Sequence, residues 1–116
     1  MAEVFLAKME GIEGFERRLA IKRILPHYSK NDSFVRMFID EARLVGHFTH
    51  PNIVQTYDFG KINDCYYISM EYVDGINVAD ILTRYKAEKK SVPIEVILET
   101  GLQACRGIDY AHKETD

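Results

Sequence analysis

The sequence predicts an α+β chain, on three observations. Short runs of strand formers in the first half alternate their side chains between two faces. One helix with a pronounced apolar stripe, over 33–48, interrupts them, and the last third of the chain, from 78 on, reads mostly as helix. The clearest strand is Leu19-Ala20-Ile21-Lys22-Arg23-Ile24-Leu25. Extended, it places Ala20, Lys22 and Ile24 on one side and Leu19, Ile21, Arg23 and Leu25 on the other. Lys22 therefore has apolar neighbours, and an ammonium so placed is costly unless it meets a carboxylate or a phosphate.

The helix over 33–48 opens at the capping candidates Asn31, Asp32 and Ser33 and stops at Thr49-His50-Pro51. Phe34, Phe38, Val45 and Phe48 fall at helical spacing, flanked by Met37 and Leu44, and Glu41 completes the series. A carboxylate on the core-facing side of a helix and a cation on a core-facing strand position are most simply an ion pair. The other reading, that both side chains snorkel to solvent, stays open at this point.

Elsewhere the elements are plainer. Residues 1–8 read as a strand, with Gly11 and Gly14 in the turn that leads to the next. Two further strands, 53–59 and 65–73, are joined through 60–64 with Asn63-Asp64 as the turn, a link short enough to make them antiparallel. Tyr57, Phe59, Tyr66 and Tyr67 are expected as core or half-buried wall. Asp74-Gly75 breaks the last strand. Asn77 caps a helix that turns Val78, Ile81, Leu82 and Tyr85 inward, and Lys86, Glu88, Lys89 and Lys90 form a solvated link. Pro93 then opens a long helix over 93–112, whose apolar residues Ile94, Ile97, Leu98, Leu102 and Ile108 are spread wide enough to ask for burial on several sides.

Composition narrows the function. The chain has 116 residues, 47% of them apolar, and a net charge of −3. That is room for one modest domain, and the scattered Lys and Arg form no basic stripe for nucleic acid. Cys65 and Cys105 make neither metal spacing nor a disulfide framework, so a reducing cytoplasm is the expected compartment. No apolar run approaches the roughly 18 residues of a membrane span, and Glu3 and Lys8 break up the amino end, so no signal peptide is visible.

Several motifs together resemble the protein kinase family, with the flavour of bacterial Ser/Thr kinases of the eukaryote-like class. Ala20-Ile21-Lys22 is similar to the end of the family's V-A-I-K strand, with Leu19 in the valine position, and Glu41 matches the glutamate of its C helix. His50-Pro51-Asn52-Ile53 resembles the turn after that helix. Met70-Glu71-Tyr72-Val73-Asp74-Gly75 resembles the hinge, and Tyr110-Ala111-His112 the end of the long helix in the C-lobe. Val4 stands where the glycine-rich loop has its valine, and Ala2 where that loop has its third glycine; the first two glycines would precede Met1.

The resemblance implies a kinase-like N-lobe over 1–69, a hinge over 70–77 and the first helices of a helical C-lobe over 78–116. Lys22 would contact the phosphates of ATP and Glu41 would hold it there. Val4 and Ala20 would wall the adenine, with Met70 as the gatekeeper behind it. Glu71 and Val73 would offer main-chain groups to the adenine edge, Tyr72 would line the same region, and Asn77 would either reach the ribose or simply cap its helix. The parent activity would be transfer of the ATP γ-phosphate to a protein hydroxyl, serine or threonine. No Mg²⁺ ligand is expected within the chain, because the H-R-D and D-F-G segments of the family come later and Asp116 has no H-R-D context. The chain accordingly reads as a partial domain, inactive alone, with the apolar surface of the helix over 93–112 free to self-associate. The rival reading is a pseudokinase or a regulatory binding module that keeps only the pocket or the fold.

Overall fold

The structure, a computed structural model, describes residues 2–115; Met1 and Asp116 lie outside the described residues. β1 (Ala2–Glu10) and β2 (Glu16–Ile24) form an antiparallel hairpin. Its turn, Ile12–Gly14, kinks at Glu13 (φ 53°) and is closed by Gly11 N–H donating to the Phe15 carbonyl at 2.7 Å. Gly14 lies at φ +78°, where a residue without Cβ is unstrained. β3 (Thr56–Ile62) and β4 (Cys65–Glu71) complete an antiparallel sheet of order β1-β2-β4-β3. Asn63 and Asp64, the predicted turn, both take positive φ, 50° and 62°, between the paired Ile62 and Cys65. This is the two-residue hairpin geometry that suits the twist of the strands.

Two strand boundaries differ from expectation. β3 starts at Thr56 rather than Ile53, because the chain is still turning there: His50 Nδ1 accepts from Asn52 N–H at 3.0 Å and the His50 carbonyl from Ile53 N–H at 3.1 Å. At its other end β3 runs on through Gly60 to Ile62. Gly60 is needed there, since a Cβ would lie 2.5 Å from Tyr67 Oη.

α1 (Asp32–Val45) is capped by Asn31, whose Oδ1 accepts from Phe34 N–H at 3.3 Å, a contribution of about 1 kcal/mol. Its packing makes the core: Phe38 and Ala42 close on Ile24 of β2 and Ile68 of β4, with Tyr28, Val35, Tyr66 and Met70 around them. Each of Ile24, Phe38 and Ile68 contributes about 1.5–3 kcal/mol by leaving water. The buried line of α1 therefore runs through Ala42, not Glu41, whose side chain is 46% exposed. Glu41 lies at the margin of the apolar face, a correction to the core-facing position that its spacing suggested.

Residues up to Tyr72 form one compact unit and those from Val73 a second. In the second, α2 (Val78–Ala87) is capped by Asn77, whose Oδ1 accepts from Asp80 N–H at 2.8 Å. Only part of its expected inward face is covered: Ile81 and Tyr85 are half-buried, while Val78 and Leu82 are exposed. α3 (Ile94–Thr115) extends three residues beyond His112. Its apolar stripe of Ile94, Ile97, Leu98, Leu102 and Ile108, wide enough to ask for burial on several sides, is exposed.

Candidate functional site

Strand register gathers the sequence-predicted residues of the first unit. Val4 lies opposite Lys22, and Ala20 lies opposite both Leu6 and Met70. Facing residues in an antiparallel sheet share a face, so Val4, Ala20, Lys22 and Met70 all point to the side that carries α1. The helix covers that face at Ile24 and Ile68. Toward Val4 and Leu6, 64% and 62% exposed, the face is open and apolar.

At the boundary between the covered and open parts sits the ion pair. Lys22 Nζ lies 2.8 Å from Glu41 Oε1 and 6.0 Å from the centroid of the Phe38 ring. Of the two readings that the spacing left open, pairing is the one formed. With the lysine side chain 28% and the glutamate 46% exposed, the pair adds about 0–1 kcal/mol to stability. Its consequence is positional: a flexible four-carbon stem is held with its ammonium at one place on the sheet. Beside it lies a hollow of about 70 Å³ lined by Ala2, Ile24, Phe34, Met37 and Phe38 together with the pair itself.

The end of β4 supplies a second kind of group. Glu71 N–H donates to the Gln55 carbonyl at 2.8 Å, and the Glu71 carboxylate accepts from Gln55 N–H at 3.0 Å. Tyr72 is half-buried, with the Arg18 guanidinium 5.9 Å from its ring centroid. In the second unit Val73 is exposed, and the Asn77 side chain is engaged as the cap of α2. The Glu71 side-chain bond was not foreseen; alternation along β4 gives the face of that carboxylate but not its acceptor role.

A metal finds no counterpart. Among the described residues no group of His, Cys, Asp and Glu could hold one. Sequence reading also overlooked that Asp58-Phe59-Gly60 spells D-F-G. The letters lie within β3, where Asp58 faces Ser69, which in turn faces Ile21. Asp58 is thus on the opposite face from Lys22, and its Oδ1 accepts from Phe59 N–H at 2.9 Å. It cannot share a metal with a phosphate bound at Lys22.

Residues 2–115 match the protein kinase domain family. Over its full length the chain is 47% identical to the tyrosine-protein kinase MasK of Myxococcus xanthus, of which it covers 18%. Over 83 residues, 72% of the chain, it is 42% identical to the serine/threonine-protein kinase PrkC of Bacillus subtilis and covers 12% of it. Among solved structures, a cysteine-to-alanine variant of the Mycobacterium tuberculosis PknI kinase domain superposes with a TM-score of 0.77 at 28% identity, covering 99% of this chain and 44% of that one. The chain therefore spans about a fifth or less of the length of the curated relatives it matches and under half of the solved kinase domain.

Proposed function

Because this chain belongs to the protein kinase family, we propose that its first unit is the nucleotide-holding part of a kinase that transfers the γ-phosphate of ATP to a protein hydroxyl. The observation that carries this reading is the 2.8 Å Lys22–Glu41 pair, set beside the open apolar face of Val4, Ala20 and Met70. A planar base suits such a face, and a fixed ammonium suits the phosphates that extend from it. In this assignment residues 1–69 are the N-lobe, 70–77 the hinge and 78–116 the start of the C-lobe. Val4 and Ala20 wall the base, Met70 backs it, and the main chain of Glu71 meets its edge beside Tyr72; Val73, in the second unit, is assigned a main-chain role by the family resemblance alone. Asn77, already a cap, is the least committed of the set.

When bound, Mg·ATP supplies the phosphoryl group and the metal that neutralises its charge. The residues present fit the nucleotide but not the metal, so the chain's part is to bind and orient. Proton removal from the acceptor and metal binding fall to residues that these 116 do not include, and the chain alone is inactive. Serine or threonine as acceptor is supported by the names of PrkC and PknI, and tyrosine by that of MasK. The exposed stripe of α3 supports self-association of the isolated chain.

Titration with ATP tests the reading. The chain binds ATP, and Lys22→Ala weakens binding by tenfold or more, since a hydrogen bond to a charged group contributes about 1.5–3 kcal/mol. Equal affinity of the two proteins would remove Lys22 from the site. Radiolabel transferred to protein above background would overturn the inactivity.

A further inference from the structure

β3 is an edge strand, and its pairing with β4 slips once: Thr56 faces Met70 and Asp58 faces Ser69, so Tyr57 is an extra residue between them. A bulge of this kind re-aims the side chain it carries. Although its strand position suggested a half-buried wall, Tyr57 is the one exposed tyrosine of the seven, at 38%. Tyr28, Tyr66, Tyr67, Tyr72, Tyr85 and Tyr110 are all half-buried. The Arg17 guanidinium lies 4.0 Å from the centroid of the Tyr57 ring. Ion pairs in the first unit engage Lys8, Lys22, Arg23 and Lys61; among the described residues Arg17 is in none of them. Arg17 and Tyr57 border a hollow of about 380 Å³ together with Thr49, His50, Gln55 and Glu71. The acids beside it are engaged: Glu71 accepts from Gln55 N–H at 3.0 Å, and Asp58 from Phe59 N–H at 2.9 Å.

From this we infer that Tyr57 is a phosphorylation site and that Arg17 receives its phosphate. The inference rests on the kinase reading above, which supplies Mg·ATP as the donor. Tyr57 Oη attacks the γ-phosphorus; a P–O bond forms as the bond to the β-phosphate oxygen breaks, ADP leaves, and the phenolic proton passes to the base of a complete kinase. The chain is here the substrate, and an acceptor hydroxyl must stand clear of its own fold to lie in line with the donor in another molecule's cleft. Phosphate then brings a charge of about −1.5 to −2 to a place with an open cation. A guanidinium meets two phosphate oxygens at once, and this one has only to slide along the ring face toward Oη. Arg17 lies two residues beyond Leu19, where β2 pairs with the last residue of β4. The new pair therefore ties β2 to β3 past the end of the strand that separates them.

Incubation of the chain with Mg·ATP and full-length MasK as the tyrosine kinase, followed by mass spectrometry, locates the phosphate. It is expected predominantly on Tyr57, and Tyr57→Phe, which keeps the ring beside Arg17, loses most of the label. Phosphorus NMR then reads the second ionisation of the phosphate. Because a nearby cation favours the dianion, this ionisation falls at a pH lower by about one unit in wild type than in Arg17→Ala. Arg17→Lys stays near wild type, and the difference disappears in urea. His50, Asp58 and Glu71 are common to all these proteins, so the difference belongs to position 17. Should Arg17→Ala fail to fold, Arg17→Gln takes its place. Phosphate on other tyrosines with Tyr57 left free, or no label while MasK phosphorylates a tyrosine peptide, overturns the site. Equal ionisation in wild type and Arg17→Ala overturns the receiving role. Because the catalyst is supplied separately, failure of the chain to bind ATP leaves this test readable, and absence of phosphate on Tyr57 leaves the nucleotide reading standing.

Discussion

Between the sheet and α1, Ile24, Phe38, Ala42 and Ile68 close over one another and leave water almost completely. Along α3, Ile94, Leu98 and Ile108 have the same chemistry and comparable helical spacing, yet remain 62%, 65% and 55% exposed. The difference does not lie in hydrophobicity. A periodic stripe specifies that a helix forms and which side is apolar; whether that side is buried depends on having a sheet to face. In the first unit β2 and β4 supply that surface. In the second, among the described residues, only Gly107 is buried within α3.

The comparison predicts unequal responses to the same chemical change. Phe38→Ala should cost about 3–5 kcal/mol in urea unfolding, the usual range for an aromatic deleted from a core. Leu98→Ala should stay within about 0.5 kcal/mol, as surface changes do. Comparable losses at both positions would mean that α3 is packed in solution in a way its exposure does not suggest.

Amide exchange sharpens the same contrast without mutation. In a verified monomer, β2 and β4 should exchange only through global opening, whereas 94–115 should exchange through local opening at much lower free energy. Equal protection of the two regions would erase the distinction. The smallest effect belongs to the pair at the margin of the core. Glu41→Gln should lower stability by no more than about 1 kcal/mol, because both partners are partly solvated. A larger loss would show that the pair belongs to the core after all.

Much of this was legible beforehand, and the gaps have physical causes. Alternation along 19–25 placed Lys22 correctly, and helical spacing brought Glu41 to it, because both periodicities follow from backbone geometry. The same spacing misjudged the depth of Glu41. Ala42 carries little hydrophobic weight in a sequence, but its small side chain is what lets α1 approach Ile24 and Ile68. The start of β3 was misplaced because Ile53 looks like a strand residue, while the hydrogen bonds that hold it in a turn come from the side chain and carbonyl of His50. D-F-G at 58–60 shows the converse: the letters were plain, and only strand register revealed that Asp58 faces away from Lys22. The Gln55–Glu71 contact joins residues distant in sequence through a side chain, for which no periodicity gives a sign.

The hairpin turn at 11–15 lies far along the sheet from the ion pair, yet it governs which atoms the pair has for neighbours. Side chains on a strand alternate, so a slip of β1 by one position would bring Glu3 or Phe5 opposite Lys22 in place of Val4. Gly14 at φ +78° and the closing bond from Gly11 to Phe15 fix the count of residues between the strands. For an engineer this divides the hairpin into two kinds of position. An extra residue at the tip can be looped out with the pairing intact, whereas the same insertion inside Glu16–Ile24 inverts every side chain beyond it and exchanges the two faces of the strand.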